Sequence, residues 1–368
     1  MPEIHKQFQD TFTLFEKEHL AVRDKVNEMD FHDKELEKKL AEYIPKIDEW
    51  WFSYLEELAT ISSEFSEEEN RTHKKFTFNS KLREVLQEGH FYWRIINKPR
   101  GYAGDAEMMN LIYRDSFEGS TPFGKLIHKH ATEKITCEAV RNRRRLLRDL
   151  LLETEGDVLN LAAGPAAEIH DVLNLNGYEK NYNFLALDHD IKTLKNAKAL
   201  NHKNNLKYSL GNAFQILKGD MRIAEPRGVL VDYCNPKTDF KGIQKLLAPI
   251  KYKTKRLAPE SYDFVYTAGL YDYIQTYPNN KNKGTVALTR NLFELVKPGG
   301  SLVIGNFSYN NPDEISFSME YLQDWVLIYR NEEEIRYFAS SIDEEKIANI
   351  DVLAEPTNIN YFLKIEKK

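Results

Sequence analysis

The sequence predicts an α/β protein in which a helical region precedes a mostly parallel sheet. Before about residue 150, apolar residues recur at three- and four-residue steps, which is typical of amphipathic helices. From Asp157 onward, short apolar runs alternate with helical patterns, which indicates a parallel sheet with crossover helices. A chain of 368 residues has room for two domains or for one domain with an added region. We therefore expect a helical region at 1–150 and a sheet domain at 151–368, with an insertion at about 217–261.

The composition argues against several classes of protein. The chain carries 51 basic and 57 acidic side chains, a net charge of −6, and this mild acidity argues against a nucleic-acid partner. No run approaches the roughly 20 apolar residues of a spanning helix, and the first residues lack the apolar core of a secretory signal. Cys137 and Cys234 form neither a disulfide framework nor zinc-ligand spacing. We expect a cytoplasmic protein with no membrane insertion and no metal site.

One apolar stripe dominates the helical region. Its members are Leu36, Leu40, Tyr43, Ile47, Trp50, Tyr54, Leu58 and Ile61. Pro45 marks a kink or break within this stripe. The stripe either packs on the rest of the same chain or, because its spacing is nearly heptad, forms the seam of a homodimer. The charged segment from Ser63 to Lys75 is predicted to be a connector between helices.

Six strands are expected in the sheet domain. They lie at 158–161, 184–187, 206–210, 264–266, 302–305 and 361–365. The stretch between the third and fourth strands, about 217–261, is longer than one crossover helix. It contains an apolar run at 229–231 and a basic stretch ending at Arg256, so it indicates an insertion instead of a bare loop.

The first strand is followed by a turn of small residues, as expected where a ligand approaches the backbone at the switch point of a doubly wound sheet. The turn consists of Ala162, Ala163, Gly164 and Pro165. Its single glycine departs from the G-x-G-x-x-G that seats a pyrophosphate, and no G-x-x-x-x-G-K-[ST] occurs in the chain. The pattern therefore favours a nucleoside ligand without a pyrophosphate.

Polar residues follow the next two strands. Asp188, with His189, comes 24 residues after Gly164, where a carboxylate accepts hydrogen bonds from ribose hydroxyls. Asn212 and Ala213 follow the third strand, where an amide can read an adenine. An Asp after a strand is also a common turn or cap residue. Taken together, at consecutive strand ends, these residues favour an adenosyl ligand.

The order of these pieces resembles the class I S-adenosylmethionine-dependent methyltransferases. It is completed by Thr267, Ala268 and Gly269 at the end of the fourth strand and by Lys297-Pro298-Gly299-Gly300 before the fifth. The resemblance implies a Rossmann-like class I methyltransferase sheet, S-adenosyl-L-methionine as cofactor, and an N-terminal helical region that acts as a lid or a dimer element. The cofactor-binding residues it implies are those of the small turn, Asp188, His189, Asn212, Ala213 and the 267–269 segment.

Four blocks resemble a narrower bacterial subfamily, the extracellular-factor enzymes that make 3-hydroxy fatty acid methyl esters. The blocks are 100–109, 140–145, 268–273 and 304–307. The resemblance favours a lid in which Tyr102 lies near the cofactor and Asp105 or Glu107 near its ammonium group. The alternative interpretation is that the segment 100–109 is a structural loop with two flexible glycines. In the same way, the basic run 141–145 is either a solvated helix face or brings Arg143 to the cofactor carboxylate.

The expected acceptor is a carboxyl or hydroxyl oxygen of a small apolar metabolite such as a hydroxy fatty acid. A carboxylate needs only a polar clamp, because it is already ionised. The candidate clamp residues are Arg100, Arg330, Tyr271, Tyr273 and Asn306. A hydroxyl or amine acceptor would need a base, for which the candidates are His128, His130 and Asp272. The aromatic residues Tyr309, Tyr321, Trp325 and Tyr329 either wall an apolar pocket or belong to the core.

Two other uses of the same cofactor stay open. A cyclase or aminocarboxypropyl transferase would release methylthioadenosine, and a regulator would bind S-adenosylmethionine without turnover. A nucleic-acid methyltransferase ranks lower, because 267–270 reads Thr-Ala-Gly-Leu in place of the Asn/Asp-Pro-Pro-aromatic tetrad of many amino-methylating enzymes.

Overall fold

The computed structural model describes residues 3–175, 181–200, 205–226 and 252–368. The chain divides into two units that are not consecutive in sequence. The helical unit consists of Met1–Val140 and Asn310–Val326, and the sheet unit consists of Arg141–Tyr309 and Leu327–Lys368. The boundary expected near residue 150 lies inside a helix, Ile135–Glu153, that contributes residues to both units.

Helices account for most of the helical unit and flank the strands of the sheet unit. They are α1 (Lys6–Val26), α2 (Leu36–Ala41), α3 (Ile44–Ser63), α4 (Glu67–Phe78), α5 (Lys81–Leu86), α6 (His90–Asn97), α7 (Ala106–Arg114), α8 (Pro122–Thr132), α9 (Ile135–Glu153), α10 (Ala167–Asn174), α11 (Ile191–Leu200), α12 (Ala213–Leu217), α13 (Gly284–Phe293), α14 (Asp313–Tyr321) and α15 (Glu332–Arg336). None of these helices is both long enough and apolar enough to cross a membrane.

The apolar stripe of the helical region is carried by two helices, α2 and α3. Pro45 lies in the first turn of α3, where its missing N–H costs nothing, so the expected break is confirmed. Among its members, Ile47 and Leu58 are buried, whereas Trp50 is half-buried. The neighbouring Trp51, which the stripe does not include, is buried. The stripe is therefore occupied at least in part by packing within the helical unit.

The connector expected at Ser63 to Lys75 is wrong, because α4 covers most of it. Ser66 and Glu69 form a reciprocal capping box at its start, and the first turn is acidic. His73 and Thr77 are buried on its inner face. The helix is mostly polar because only a narrow side of it packs.

The segment 310–326 belongs to the helical unit through α14. Phe8 of α1 contacts both Phe317 and Tyr321, whose rings stack on each other at 4.3 Å. The Thr77 hydroxyl donates to the Tyr321 carbonyl at 2.5 Å. Of the two interpretations of Tyr321, pocket wall or core, the structure supports the core, where Tyr321 is 3% exposed.

The described strands form one sheet in the order β5-β4-β3-β2-β1-β6-β7-β9-β8. Their bounds are β1 (Gly156–Leu161), β2 (Tyr182–Asp188), β3 (Leu206–Leu210), β4 (Arg222–Pro226), β5 (Tyr252–Arg256), β6 (Tyr262–Thr267), β7 (Val296–Phe307), β8 (Ile347–Ala354) and β9 (Asn360–Lys367). All six expected strands are confirmed. Three of the described strands, β4, β5 and β8, were missed. The partly exposed residues of the edge strand β8 give no continuous apolar run.

The strands from β3 through β2, β1 and β6 to β7 are parallel, β9 pairs antiparallel with β7, and β8 pairs antiparallel with β9. Chain order reverses between β1 and β6, so these two strands flank the switch point of a doubly wound sheet. Helices cover both faces: Val158 and Tyr266 face one core cluster, and Leu159 and Val265 face another. The Rossmann-like α/β class is confirmed.

The insertion expected at about 217–261 begins and ends in a pair of strands. β4 and β5 pair antiparallel, with Ile223 opposite Lys255, and β4 also pairs with β3. The apolar run at 229–231 and Cys234 lie outside the described residues. The described part of the insertion therefore extends the sheet beyond β3.

Candidate functional site

The loop after β1 has an unusual backbone. Ala162, Gly164 and Ala166 all have positive φ, at 58°, 53° and 50°. An alanine pays roughly 1–2 kcal/mol for this conformation, and such strain clusters at ligand-binding loops. A Cβ placed on Gly164 would meet no atom within 4 Å, so the loop presents bare backbone on an open side. The expectation that small residues let a ligand approach here fits this geometry.

Asp188 ties the loop to the end of β2. Its Oδ2 accepts the Gly164 N–H at 2.9 Å, and its Oδ1 accepts the Asp190 N–H at 2.9 Å. Burial raises the pKa of this carboxyl, against the effect of those two donors. Each carboxylate oxygen has two lone pairs, so Oδ2 keeps capacity for another donor, whereas Oδ1 also lies 3.4 Å from His189 Nδ1.

His189 and Asn212 line one groove of about 380 Å³, with Gly211, Gln215 and Arg222. The Asn212 side chain accepts the Phe214 N–H at 2.9 Å and so caps the short α12, while Ala213 packs partly against the core. Phe214 beside it is 58% exposed. The structure thus brings together the residues expected at the ends of β2 and β3.

A buried polar trio at the switch point was missed by sequence reasoning. Glu168 Oε1, in the first turn of α10, accepts the Tyr266 hydroxyl at 2.7 Å and Asn160 Nδ2 at 3.0 Å. Burial raises the pKa of Glu168, whereas Tyr266, Arg144 and Arg143 lower it. Asn160 Oδ1 is buried without a hydrogen-bond partner. An Asn in an otherwise apolar strand, followed by a Glu eight residues later, was the available signal.

Arg143 of α9 lies at the end of β6. It is 6% exposed, and its Nη1 is 3.1 Å from the position that a Cβ of Gly269 would take. Its guanidinium also stands 6.0 Å from the Phe307 ring centroid. Gly269 therefore makes room for the guanidinium, which explains why a glycine follows Thr267 and Ala268 here.

Thr267 ends β6 with a fully buried hydroxyl that has no hydrogen-bond partner. Ala268 approaches β7 closely, because a Cβ on Gly305 would lie 2.5 Å from the Ala268 carbonyl oxygen. Together with Asn160 Oδ1, the Thr267 hydroxyl leaves two buried polar atoms without partners beside the switch point. Such atoms are rare in folded proteins, and they are expected where a ligand completes the bonding.

A second buried network lies behind the ends of β6 and β7. Arg330 donates to the carbonyls of Tyr271 at 2.9 Å and Ile274 at 2.5 Å, and to Asn306 Oδ1 at 2.5 Å. Asn306 donates in turn to the Phe307 carbonyl at 2.7 Å. Three N–H donors of Arg330 are therefore bonded within the fold, which argues against the clamp role considered for this residue.

Tyr271 and Tyr273 flank one turn but differ in exposure. Tyr271 is fully buried, and its hydroxyl pairs with Thr289 at 3.0 Å. Tyr273 is 40% exposed. Of the two hydroxyls expected to contact the acceptor, the second is the accessible one.

Asp272, between these tyrosines, is 2% exposed. Its Oδ1 accepts the Phe307 N–H at 2.6 Å, and its carbonyl accepts the Ile328 N–H. Burial raises its pKa to about 6, against the opposing charges of Arg143 and Arg330. Its geometry is that of a buried, partly satisfied carboxylate.

The remaining candidates belong to the helical unit. Arg100 and Tyr102 lie in an irregular loop before α7. The placement of Asp105 near an ammonium group is wrong, because this fully buried carboxylate pairs with Arg94 through two 2.7 Å bonds and caps α7. Glu107 pairs with Arg114 at 3.1 Å.

His128 and His130, considered as bases, are fully buried in the helical unit. Burial lowers the pKa of each to about 4. His128 Nδ1 accepts the Phe91 N–H, and His130 Nε2 contacts Asp48 and Lys134. Neither imidazole is exposed to a substrate.

No family model matches this chain, and no curated protein matches it. Similar solved structures include a possible exported protein from Bordetella parapertussis, with 14% identity, a TM-score of 0.49 and coverage of 90% of this chain and 96% of that one. The CMeT domain of the citrinin polyketide synthase has 12% identity, a TM-score of 0.43 and coverage of 85% and 68%. A Thermotoga maritima methyltransferase, described as a possible histamine N-methyltransferase, has 10% identity, a TM-score of 0.39 and coverage of 76% and 99%. All three likenesses are remote.

Proposed function

We propose that the sheet unit binds S-adenosyl-L-methionine and that the protein transfers its methyl group to an oxygen of a small apolar metabolite. The observation that carries this proposal is the order of groups along the strand ends. An open loop with positive φ at Gly164 follows β1, a buried carboxylate at Asp188 follows β2, and an amide at Asn212 follows β3. This order suits a nucleoside whose ribose lies between the first two strands.

The residues present fit this cofactor. Asp188 keeps acceptor capacity for the ribose hydroxyls, and the groove beside His189, Asn212 and Ala213 suits the adenine. Arg143 is the guanidinium for the amino-acid carboxylate. The backbone of 162–165 and the 267–269 segment would complete the site, where the Thr267 hydroxyl and Asn160 Oδ1 have no partner of their own.

The acceptor that the site favours is a carboxylate. When bound, the cofactor supplies an electrophilic methyl group, so the protein's part is to align the acceptor and exclude water. In the described segments 267–273 and 305–309, Asp272 is the one carboxyl or imidazole, and it is buried and bonded to the Phe307 N–H. A carboxylate needs no base, whereas a hydroxyl does.

The roles of the clamp residues follow from their exposure. Tyr273 is the hydroxyl that we assign to the acceptor, and the roles expected of Arg100 and Tyr102 stay predictions from the sequence. We assign Tyr271 and Asn306 to the support of the site, since both are buried and hydrogen-bonded within the sheet unit. A 3-hydroxy fatty acid is the acceptor to test first.

Cofactor binding tests the first half of the proposal. Asp188→Ala removes a hydrogen bond to a charged acceptor and should weaken S-adenosylmethionine binding by about 1.5–3 kcal/mol in isothermal calorimetry. The control is Asp157→Ala, at the opposite end of β1, where the carboxylate pairs with Lys297. Equal affinity in a folded Asp188→Ala protein would contradict the site.

Product analysis tests the second half. The protein is incubated with methyl-labelled S-adenosylmethionine and a 3-hydroxy fatty acid, and the nucleoside product is identified by mass spectrometry. S-adenosylhomocysteine with label in a base-labile methyl ester supports transfer to the carboxyl, whereas label in a base-stable ether shows transfer to the hydroxyl. Methylthioadenosine as the product would refute methyl transfer.

A further inference from the structure

Buried charges at the strand ends of the sheet unit are unbalanced. The carboxyls there that are at least nine-tenths buried are Glu168, Asp188, Asp272 and Glu355, and the buried guanidiniums among the described residues are Arg143 and Arg330. When all are ionised, carboxylates outnumber guanidiniums by two. A buried carboxylate is costly without a compensating cation, and its field is weakly screened.

S-adenosylmethionine and its product differ by one charge. The cofactor carries a sulfonium, and loss of the methyl group returns an electron pair to sulfur and leaves the neutral thioether of S-adenosylhomocysteine. The adenine, ribose, ammonium and carboxylate are common to both, so contacts to those groups cancel in the ratio of the two dissociation constants. That ratio therefore isolates the response to charge at sulfur.

We propose that the buried carboxylate excess makes this site prefer the sulfonium cofactor over its thioether product, and that Glu168 and Asp272 set the preference. The inference rests on the proposed function. It assigns product release to electrostatics, because the site loses its counter-ion at the moment the methyl group leaves.

We assign the preference to Glu168 and Asp272 because the other two buried carboxyls, Asp188 and Glu355, have other roles. Asp188 is assigned to the ribose, which both ligands share. Glu355 accepts the N–H groups of Thr357, Ile359 and Asn360 and the Asn142 amide, so it holds the turn before β9.

Glu168 lies in the first turn of α10, which follows β1, and Asp272 lies in the turn after β6, and the charge of Arg143 acts on both of them. Glu168 is also bonded to Tyr266, one residue before Thr267. Both carboxylates thus follow the carboxyl ends of β1 and β6, the two strands that flank the switch point. At an effective dielectric constant near 20, a unit charge about 10 Å from a charged group of a ligand changes the binding constant of that ligand on the order of tenfold.

Asp272 makes the preference depend on pH. The charged groups that act on it are Arg143 of α9 and Arg330, and β7 contributes the Phe307 N–H. Because burial raises its pKa to about 6, Asp272 is charged at pH 7.5 and largely neutral at pH 5. The preference should therefore be larger at pH 7.5.

The test compares the dissociation constants of S-adenosylhomocysteine and S-adenosylmethionine by isothermal calorimetry. Glu168→Gln and Asp272→Asn keep an oxygen acceptor for the Tyr266 hydroxyl and the Phe307 N–H. In each variant the ratio of the two constants should fall about threefold to tenfold, through weaker binding of S-adenosylmethionine. Native protein should show a higher ratio at pH 7.5 than at pH 5, and Asp272→Asn should reduce this pH dependence.

The matched control is Asp263→Asn. Asp263 lies at the opposite end of β6 and pairs there with Lys297 at 2.8 Å, so its neutralisation should leave the ratio unchanged. Thermal melting checks that each variant folds, and the pH comparison needs no substitution. An unchanged ratio in both folded variants, with S-adenosylmethionine still bound, overturns the inference alone. Native protein that binds neither ligand overturns the proposed function as well.

Discussion

At the scale of single residues, the main surprise is the loop after β1. The sequence shows one glycine there, yet three positions adopt the left-handed region, two of them alanines. The strand pairing around them imposes this, since the Ala163 N–H donates to the Leu187 carbonyl and the Gly164 N–H donates to Asp188. Contacts with the surrounding structure maintain such a strained backbone, so the residue types alone do not predict it.

Substitution of a strained alanine by glycine should not lower the free energy of unfolding. Ala162→Gly relieves roughly 1–2 kcal/mol of strain and loses about 0.5–1 kcal/mol to chain entropy. We therefore expect the free energy of unfolding in urea to stay the same or rise by up to about 1.5 kcal/mol. Ala21→Gly, at an exposed position inside α1, is the control and should lose about 1 kcal/mol. Equal losses at both positions would contradict the strain.

At the scale of elements, strands were easier to predict than polar helices. The six expected strands carry short apolar runs, and burial on both faces of a parallel sheet produces such runs directly. α4 was missed because its charged surface hides a narrow buried side at His73 and Thr77. Its signature was present in the Ser66-x-x-Glu69 spacing, which is a capping box.

Removal of that cap should destabilise α4. Ser66→Ala loses the side-chain acceptor for the Glu69 N–H, and we expect the helical unit to lose about 1 kcal/mol of unfolding free energy. Ser66→Thr keeps a hydroxyl and should retain most of it. Tryptophan fluorescence during urea unfolding measures the difference. A Ser66→Ala protein as stable as the native one would show that the cap contributes nothing.

At the scale of the whole molecule, the two units differ in how acid affects them. Burial lowers the pKa of His19 to about 3 and of His128 and His130 to about 4, and all three lie in the helical unit. Burial raises the pKa values of Asp188, Glu168 and Asp272 in the sheet unit. Neutral buried histidines contribute stability that is fully present above about pH 6.5 and is lost as pH falls toward 4.

All four tryptophans, Trp50, Trp51, Trp93 and Trp325, lie in the helical unit, so their fluorescence reports on that unit. We expect the urea midpoint followed by this fluorescence to be lower at pH 5 than at pH 7.5. Each buried histidine contributes on the order of 2 kcal/mol to the difference.

His128→Gln should flatten this pH dependence. Burial acts to raise the pKa values of Asp48 and Glu118, but hydrogen bonds outweigh burial and lower these pKa values to about 2, so these two carboxyls affect stability in a more acidic range. Equal midpoints at pH 5 and pH 7.5 would contradict the assignment of neutral histidines.

The sequence by itself determined what depends on neighbours in the chain. Apolar periodicity located the six strands, and small and polar residues after three of them indicated where a nucleoside would bind. The tertiary structure decided which polar groups are already occupied. Arg330 is bonded to backbone carbonyls, Asp105 to Arg94, and Tyr271 to Thr289, whereas Arg143 fills the space that Gly269 leaves. These pairings join residues far apart in sequence, so no local pattern records them.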